Sequence, residues 1–134
     1  MTYDYFYGQQ AEQFSFYRIP KALFTNEAFD KISTDAKLLY GILLDRMNLS
    51  AKNGWLDNEG RVYIIFTVDE VKESLRCSQK KAVKTLDELE FTVGLIERCR
   101  RGLGKPNLLY VKNFTSGVSK GDFQKFPEYT SRSF

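Results

Sequence analysis

"TVDEVKESLRCSQKKAVKTLDELE", Thr67 to Glu90, holds two helix starts in close succession. Thr67 is followed three residues later by Glu70, the pattern of a capping box in which hydroxyl and carboxylate each satisfy a free backbone N–H. Val68, Val71 and Leu75 give this first helix one apolar face. The pattern breaks at Arg76-Cys77, and Ser78 offers a second N-cap. Ala82, Val83, Leu86 and Leu89 are the expected inward positions of the second helix. Two capped helices joined by a few residues predict a helix-turn-helix unit.

The second helix has its charges in an unusual order. Lys80, Lys81 and Lys84 come first, and Asp87, Glu88 and Glu90 come last. The helix macrodipole favours the reverse, by about 0.3–1 kcal/mol per charge. An anion at the N-terminal end removes the conflict, because helix amides and lysines then face the same negative group. Ser78, Gln79, Lys80, Lys81, Lys84 and Thr85 are therefore expected on the outer, N-terminal side, where a recognition helix meets base edges and phosphates. A surface helix with solubilising lysines accounts for this stretch equally well on its own.

The flanking segments shift that balance. Downstream, Leu95 to Arg100 and Leu108 to Lys112 read as a β-hairpin, with Gly102, Gly104 and Pro106 in its connection. Arg98, Arg100, Arg101 and Lys105 make that hairpin basic, which suits phosphate or minor-groove contact. Charge that protects an edge strand is the competing explanation, but acids would protect as well and only Glu97 is present. Tyr63 to Phe66 is expected as a third strand. Upstream, "STDAKLLYGILLDRMNLS" is a helix from Asp35 to Met47, capped by Ser33 or Thr34, with a stripe of Leu38, Leu39, Ile42, Leu43 and Met47 bordered by Ala36 and Tyr40. "TNEAFDKI" is a short helix capped by Thr25 or Asn26. The order helix, strand, helix, helix, strand, wing, strand predicts an α+β winged helix with a small antiparallel sheet.

The expected organisation is an aromatic arm over residues 1–16, a winged-helix DNA-binding domain over 17–113, and a linker or tail over 114–134. In the arm, Tyr3, Tyr5 and Tyr7 alternate as in a strand that could pair with something. From Arg76 to Lys112 there are nine bases and four acids, so this segment carries about +5 of a chain whose net charge is +3. Local basic excess points to a polyanionic partner. The 134 residues are enough for one cored domain.

Other functions find little support. No signal peptide or membrane-spanning run is visible, and a cytoplasmic protein with no membrane partner is expected. Cys77 and Cys99, without any histidine, fall short of a zinc site and read as free thiols in a reducing compartment. Asp57 and Glu59 read as a polar turn, since the ligand spacing of a calcium loop is missing. "GLGKP" lacks the distal glycine and the Ser or Thr of a phosphate-binding P-loop. No nucleophile with a partner and no paired carboxylates stand out, so neither enzyme activity nor a cofactor is expected.

"FYRIPKALF", "ISTDAKLLYGILLDRM", "NGWLDNEGRVYIIFTVDEV" and "GLIERCRRGLGKPNLLYVKNF" together resemble the N-terminal domain of plasmid replication initiators of the RepA N-terminal family of Gram-positive bacteria. The resemblance runs from about Phe16 to Phe114. It implies a winged helix that binds repeated double-stranded sites at a plasmid origin, with "RCSQKKAVKTLDELE" as recognition helix and "RRGLGKPN" as wing. It also implies a further C-terminal domain that meets host replication proteins. Homo-oligomerisation, at least as a dimer, is expected from repeated sites and the aromatic arm. A winged helix used for protein assembly in the replication machinery and a transcriptional regulator remain the alternatives.

Overall fold

The computed structural model describes residues 2–8 and 14–115. Helix α1 (Ala22–Thr25) is a single turn, and a 3-10 turn at Glu27–Phe29 follows it. Asn26 rather than Thr25 caps that turn, accepting the Ala28 N–H at 2.9 Å. The Thr25 hydroxyl instead donates to the Lys21 carbonyl.

Helix α2 (Thr34–Lys52) begins where the Ser33 side chain accepts the Ala36 N–H. It runs one turn beyond Met47. Ala36, Leu39, Tyr40 and Leu43 form its buried face, while Ile42 and Met47 are half-buried and Leu38 is exposed. The expected stripe is thus rotated toward Ala36 and Tyr40. Residues 36, 39, 40 and 43 lie on one face at 100° per residue, and Leu38 falls outside it. The Tyr40 hydroxyl donates to the Lys112 carbonyl at 2.6 Å, and burial pushes its ionisation up to about 12. Phe114 packs edge-on against both Tyr40 and Phe29. The packed domain therefore includes Phe114, which the sequence places in the tail; residues 116–134 lie outside the described residues. On another face of α2, Gly41 lets the chain at Arg18 and Ile19 cross closely. A Cβ at Gly41 would sit 2.7 Å from an Ile19 side-chain carbon and 3.0 Å from the Arg18 carbonyl oxygen.

Helix α3 (Val68–Leu75) carries the expected capping box between Thr67 and Glu70. It ends at Arg76 in the left-handed conformation, φ 52° and ψ 52°. Helix α4 (Gln79–Asp87) follows after Ser78, whose side chain accepts the Lys81 N–H at 3.1 Å. Its backbone then widens into a π turn over Glu88–Thr92. The inward residues are Ala82, Thr85, Leu86 and Leu89. Val83, expected inward, is 37% exposed, and Thr85, expected outward, is buried. Helical geometry explains the exchange, since 82, 85, 86 and 89 share one face. The Thr85 hydroxyl tolerates burial because it donates to the Lys81 carbonyl at 2.7 Å.

Strands β1 (Ile96–Cys99) and β2 (Leu108–Val111) pair antiparallel, with Ile96 opposite Val111 and Cys99 opposite Leu108. Tyr63–Phe66 joins them through Ile64 alone, which exchanges two backbone hydrogen bonds with Leu109. The third strand is therefore a single bridge. Leu23, Phe29, Leu39, Leu43, Ile64, Val71, Leu86, Leu89, Ile96 and Leu109 meet in one core under the sheet and helices. Among the arm residues described, Tyr3, Tyr5 and Tyr7 are exposed and form no strand. Cys77 and Cys99 are free, half-buried thiols.

The loop before the bridge is tied to the sheet by Asp57. Its carboxylate accepts the Arg61 and Glu59 N–H groups, the Arg61 guanidinium and the Tyr110 hydroxyl. These bonds, the Arg61 amide foremost, hold the Asp57 carboxyl down at about 2, against 3.8 ordinarily. A carboxylate depressed on folding contributes stability that is complete above its unfolded value and lost as pH falls through the folded one. Melting of the parent should therefore show an extra decline between about pH 4 and pH 2 that Asp57→Asn lacks. Parallel acid titrations of the two melting temperatures would show no difference if the loop were untethered.

The exchange at positions 83 and 85 gives a second test. Leu86→Ala should cost about 2–5 kcal/mol through the cavity it opens. Val83→Ala should stay within about 0.5 kcal/mol. Denaturant melts of both variants measure the contrast, and equal losses would place Val83 in the core.

Candidate nucleic-acid interface

The wing is anchored to α4 by one side chain. Arg98, on β1, turns its guanidinium back toward the end of α4, where Nη2 donates to Asp87 at 2.7 Å and Nε donates to Glu90. The Arg98 backbone N–H also donates to Glu90 at 3.3 Å. Its side chain is only 22% exposed, so it is spent on holding the wing and is not offered to solvent. Sequence alternation alone places Arg98 beside Arg100 as a free cation; the structure separates them.

Helix α4 is joined to the start of α2 by two further contacts. Glu88 accepts the Ser33 N–H at 2.7 Å and the Ser33 hydroxyl at 2.9 Å. Lys81 pairs with Asp35 at 2.9 Å, and this carboxylate raises the lysine's affinity for its proton. Lys81 is thus exposed but already engaged. Glu97, the remaining acid of the basic segment, pairs with Lys112 at 3.5 Å.

These pairings leave an unbalanced surface. All four acids between Arg76 and Lys112 are committed, to Arg98, Ser33 or Lys112. Among the described residues, no carboxylate lies within ion-pair distance of Lys80, Lys84, Arg100, Arg101 or Lys105, and all five are exposed. Ser78 and Gln79 are exposed beside them, with the Ser78 oxygen acting as the helix cap. Of the ten residues expected at the interface, Thr85 is buried and Arg98 is internal, so neither is free to face a ligand. The wing turn is stiffened by Arg101 Nε donating to the Pro106 carbonyl at 3.0 Å. A groove lined by Thr67, Leu86, Lys105 and Asn107 separates the wing from α3 and α4. Two exposed apolar side chains stand within the cationic surface, Val83 on α4 and Leu103 in the wing. The periodicity misplaced the first. Leu103 gave a signal only in its setting, a leucine between two glycines.

Residues 15–125 match the family described as replication initiator protein A (RepA) N-terminus. The chain belongs to this RepA N-terminal family. A 41 kDa protein of Lactobacillus helveticus is 30% identical over 92 residues, covering 69% of this chain and 26% of that protein. The chain thus spans about a quarter of that relative's length. Among solved structures, the N-terminal domain of a DNA-binding protein matches at 38% identity and TM-score 0.73, over 96% of this chain and 95% of the other. A Rep–DNA complex matches at the same identity and TM-score, over 94% and 95%. An initiator described as an MDR initiator matches at 36% and 0.69, over 94% and 98%. The helix-turn-helix and hairpin of this RepA N-terminal domain are those of a winged helix. No helix among the described residues is long and apolar enough to cross a membrane.

The anchoring role of Arg98 separates it from its neighbour. Arg98→Ala should cost roughly 1–3 kcal/mol of stability, since it strands two carboxylates at the root of the wing. Arg100→Ala should melt like the parent, because its side chain is exposed and in no ion pair among the described residues. Thermal melting of the two variants checks the division, and an unchanged melt for Arg98→Ala would refute the anchor.

Proposed function

We propose that this RepA N-terminal domain binds double-stranded DNA at origin repeats, without catalysis, as the address-reading part of a replication initiator. The observation that carries the reading is the segregation of charge. Every acid of the basic segment is paired away, and among the described residues five cations of α4 and the wing face solvent with no carboxylate beside them. Winged helices place such a helix in the major groove, where lysine meets guanine acceptors and glutamine meets adenine. Gln79, Lys80 and Lys84 are the candidate readers on α4, with Ser78 and Lys81 at the margin. Arg100, Arg101 and Lys105 would hold phosphates. The likeness to a Rep–DNA complex supports binding to DNA. Contact with host replication proteins would fall to a further domain.

A second copy is part of the reading. Tyr3, Tyr5, Phe6 and Tyr7 are more than 60% exposed, and Phe6 and Phe14 pack edge-on. An arm this apolar in water favours contact between protomers on repeated sites. Sedimentation should show dimers or larger species that weaken when residues 1–16 are removed. A strictly monomeric chain on a two-site duplex would count against self-association.

The DNA reading makes linked predictions. Affinity for a duplex selected from a random pool should exceed that for random duplex, and both should fall steeply with salt as counterions are released. Lys84→Ala should cost roughly 1–3 kcal/mol of binding with melting unchanged. Arg100→Ala and Lys105→Ala should weaken selected and random duplex by similar factors, each reducing the salt slope by about 1. Titrations at two salt concentrations decide the matter. Salt-insensitive binding, or none, would leave a protein-assembly module as the better account.

A further inference from the structure

The wing carries a leucine that no described part of the fold buries. Leu103 is as exposed as in an open chain, at 104%. It sits between Gly102 at φ +112° and Gly104 at φ +78°, and a Cβ built at either glycine meets nothing within 4 Å. The Lys105 N–H closes the turn onto the Gly102 carbonyl at 3.4 Å. The tip is therefore slender, with one apolar side chain projecting and a bare backbone on each side of it. Arg101 and Lys105 stand two residues away on either side. Solubility would favour a polar residue here, and the turn itself requires only the glycines.

A narrow apolar tip between two cations matches one feature of duplex DNA. The minor groove is only about 6 Å wide, and its walls are the phosphates of the two strands. Leucine is among the side chains that enter it as wedges and partly unstack a base step. Resting on the DNA-binding reading above, we propose that Leu103 is a minor-groove wedge. Arg101 and Lys105 take the flanking phosphates, and the isobutyl group enters between them. Pyrimidine–purine steps unstack most cheaply, so the wing selects for such a step without hydrogen-bonding any base. Base preference beneath the wing then reports DNA deformability, while preference beneath α4 reports groove chemistry.

The test uses the full chain and a duplex selected from a random pool, with 2-aminopurine placed at successive positions. The parent should raise fluorescence at one step beside the α4 site. Leu103→Ala should abolish that rise and weaken binding roughly tenfold, as expected for a lost wedge. Its salt slope should equal the parent's, because no charge is removed. Leu103→Met should restore the signal. Melting should be unchanged for both variants, as the side chain touches nothing. A parent that binds with salt dependence while Leu103→Ala matches it in affinity and fluorescence overturns the wedge and leaves DNA binding standing. A parent that binds no duplex overturns both. A variant altered only in sedimentation assigns Leu103 to contact between copies and likewise overturns the wedge.

Discussion

The guanidinium of Arg98 sets how the wing stands against α4. Three donor groups of one residue reach Asp87 and Glu90 at the end of the helix, two from the side chain and one from the backbone. The site is partly shielded from water, so the ion pairs are stronger than exposed ones and costly to break singly. Ile96 and Leu109 root the hairpin in the core and Ile64 bridges it, and the Arg98 tie adds a polar link between its first strand and the end of α4. The spacing between wing and helix is what a duplex would sense. Arg98 is thus engaged within the fold, while Arg100, Arg101 and Lys105 beyond it are exposed.

The same tie answers the charge order of α4. Its acids are needed at the C-terminal end because that is where β1 and α2 arrive. Asp87 and Glu90 receive Arg98, and Glu88 caps Ser33 at the head of α2. Lysines then occupy the N-terminal turns, where Lys81 pairs with Asp35 and, among the described residues, Lys80 and Lys84 meet no carboxylate. The macrodipole penalty of a fraction of a kcal/mol per charge is small beside these tertiary contacts. Packing thus fixes where the acids lie, and the free lysines follow as the remaining surface.

Local signals were readable from the sequence. Ser33, Thr67 and Ser78 cap the helices they appeared to cap, because capping depends on residues three positions apart. The family blocks placed the helix pair and wing correctly. What was not readable depends on rotation and on distant partners. Val83 and Thr85 exchange faces because composition favours the valine inward, while the threonine hydroxyl is satisfied within its own helix turn. The Arg98 role needs Glu90, eight residues back across a turn that no periodicity describes. The third strand shrinks to Ile64 because only that residue meets Leu109. Leu103 had no neighbour to reveal it; its full exposure is a property of the folded tip.

Gly41 separates the molecule into a front and a back. Because no side chain intervenes, Arg18 and Ile19 lie directly on α2, beside a groove of about 460 Å³ lined also by Phe16, Leu44, Asn48 and Leu49. At 100° per residue, that face of α2 is turned well away from the one that meets α3 and α4. The chain leading to the amino terminus leaves from there. A side chain at position 41 would push Arg18 and Ile19 off α2 while leaving the face that meets α3 and α4 untouched.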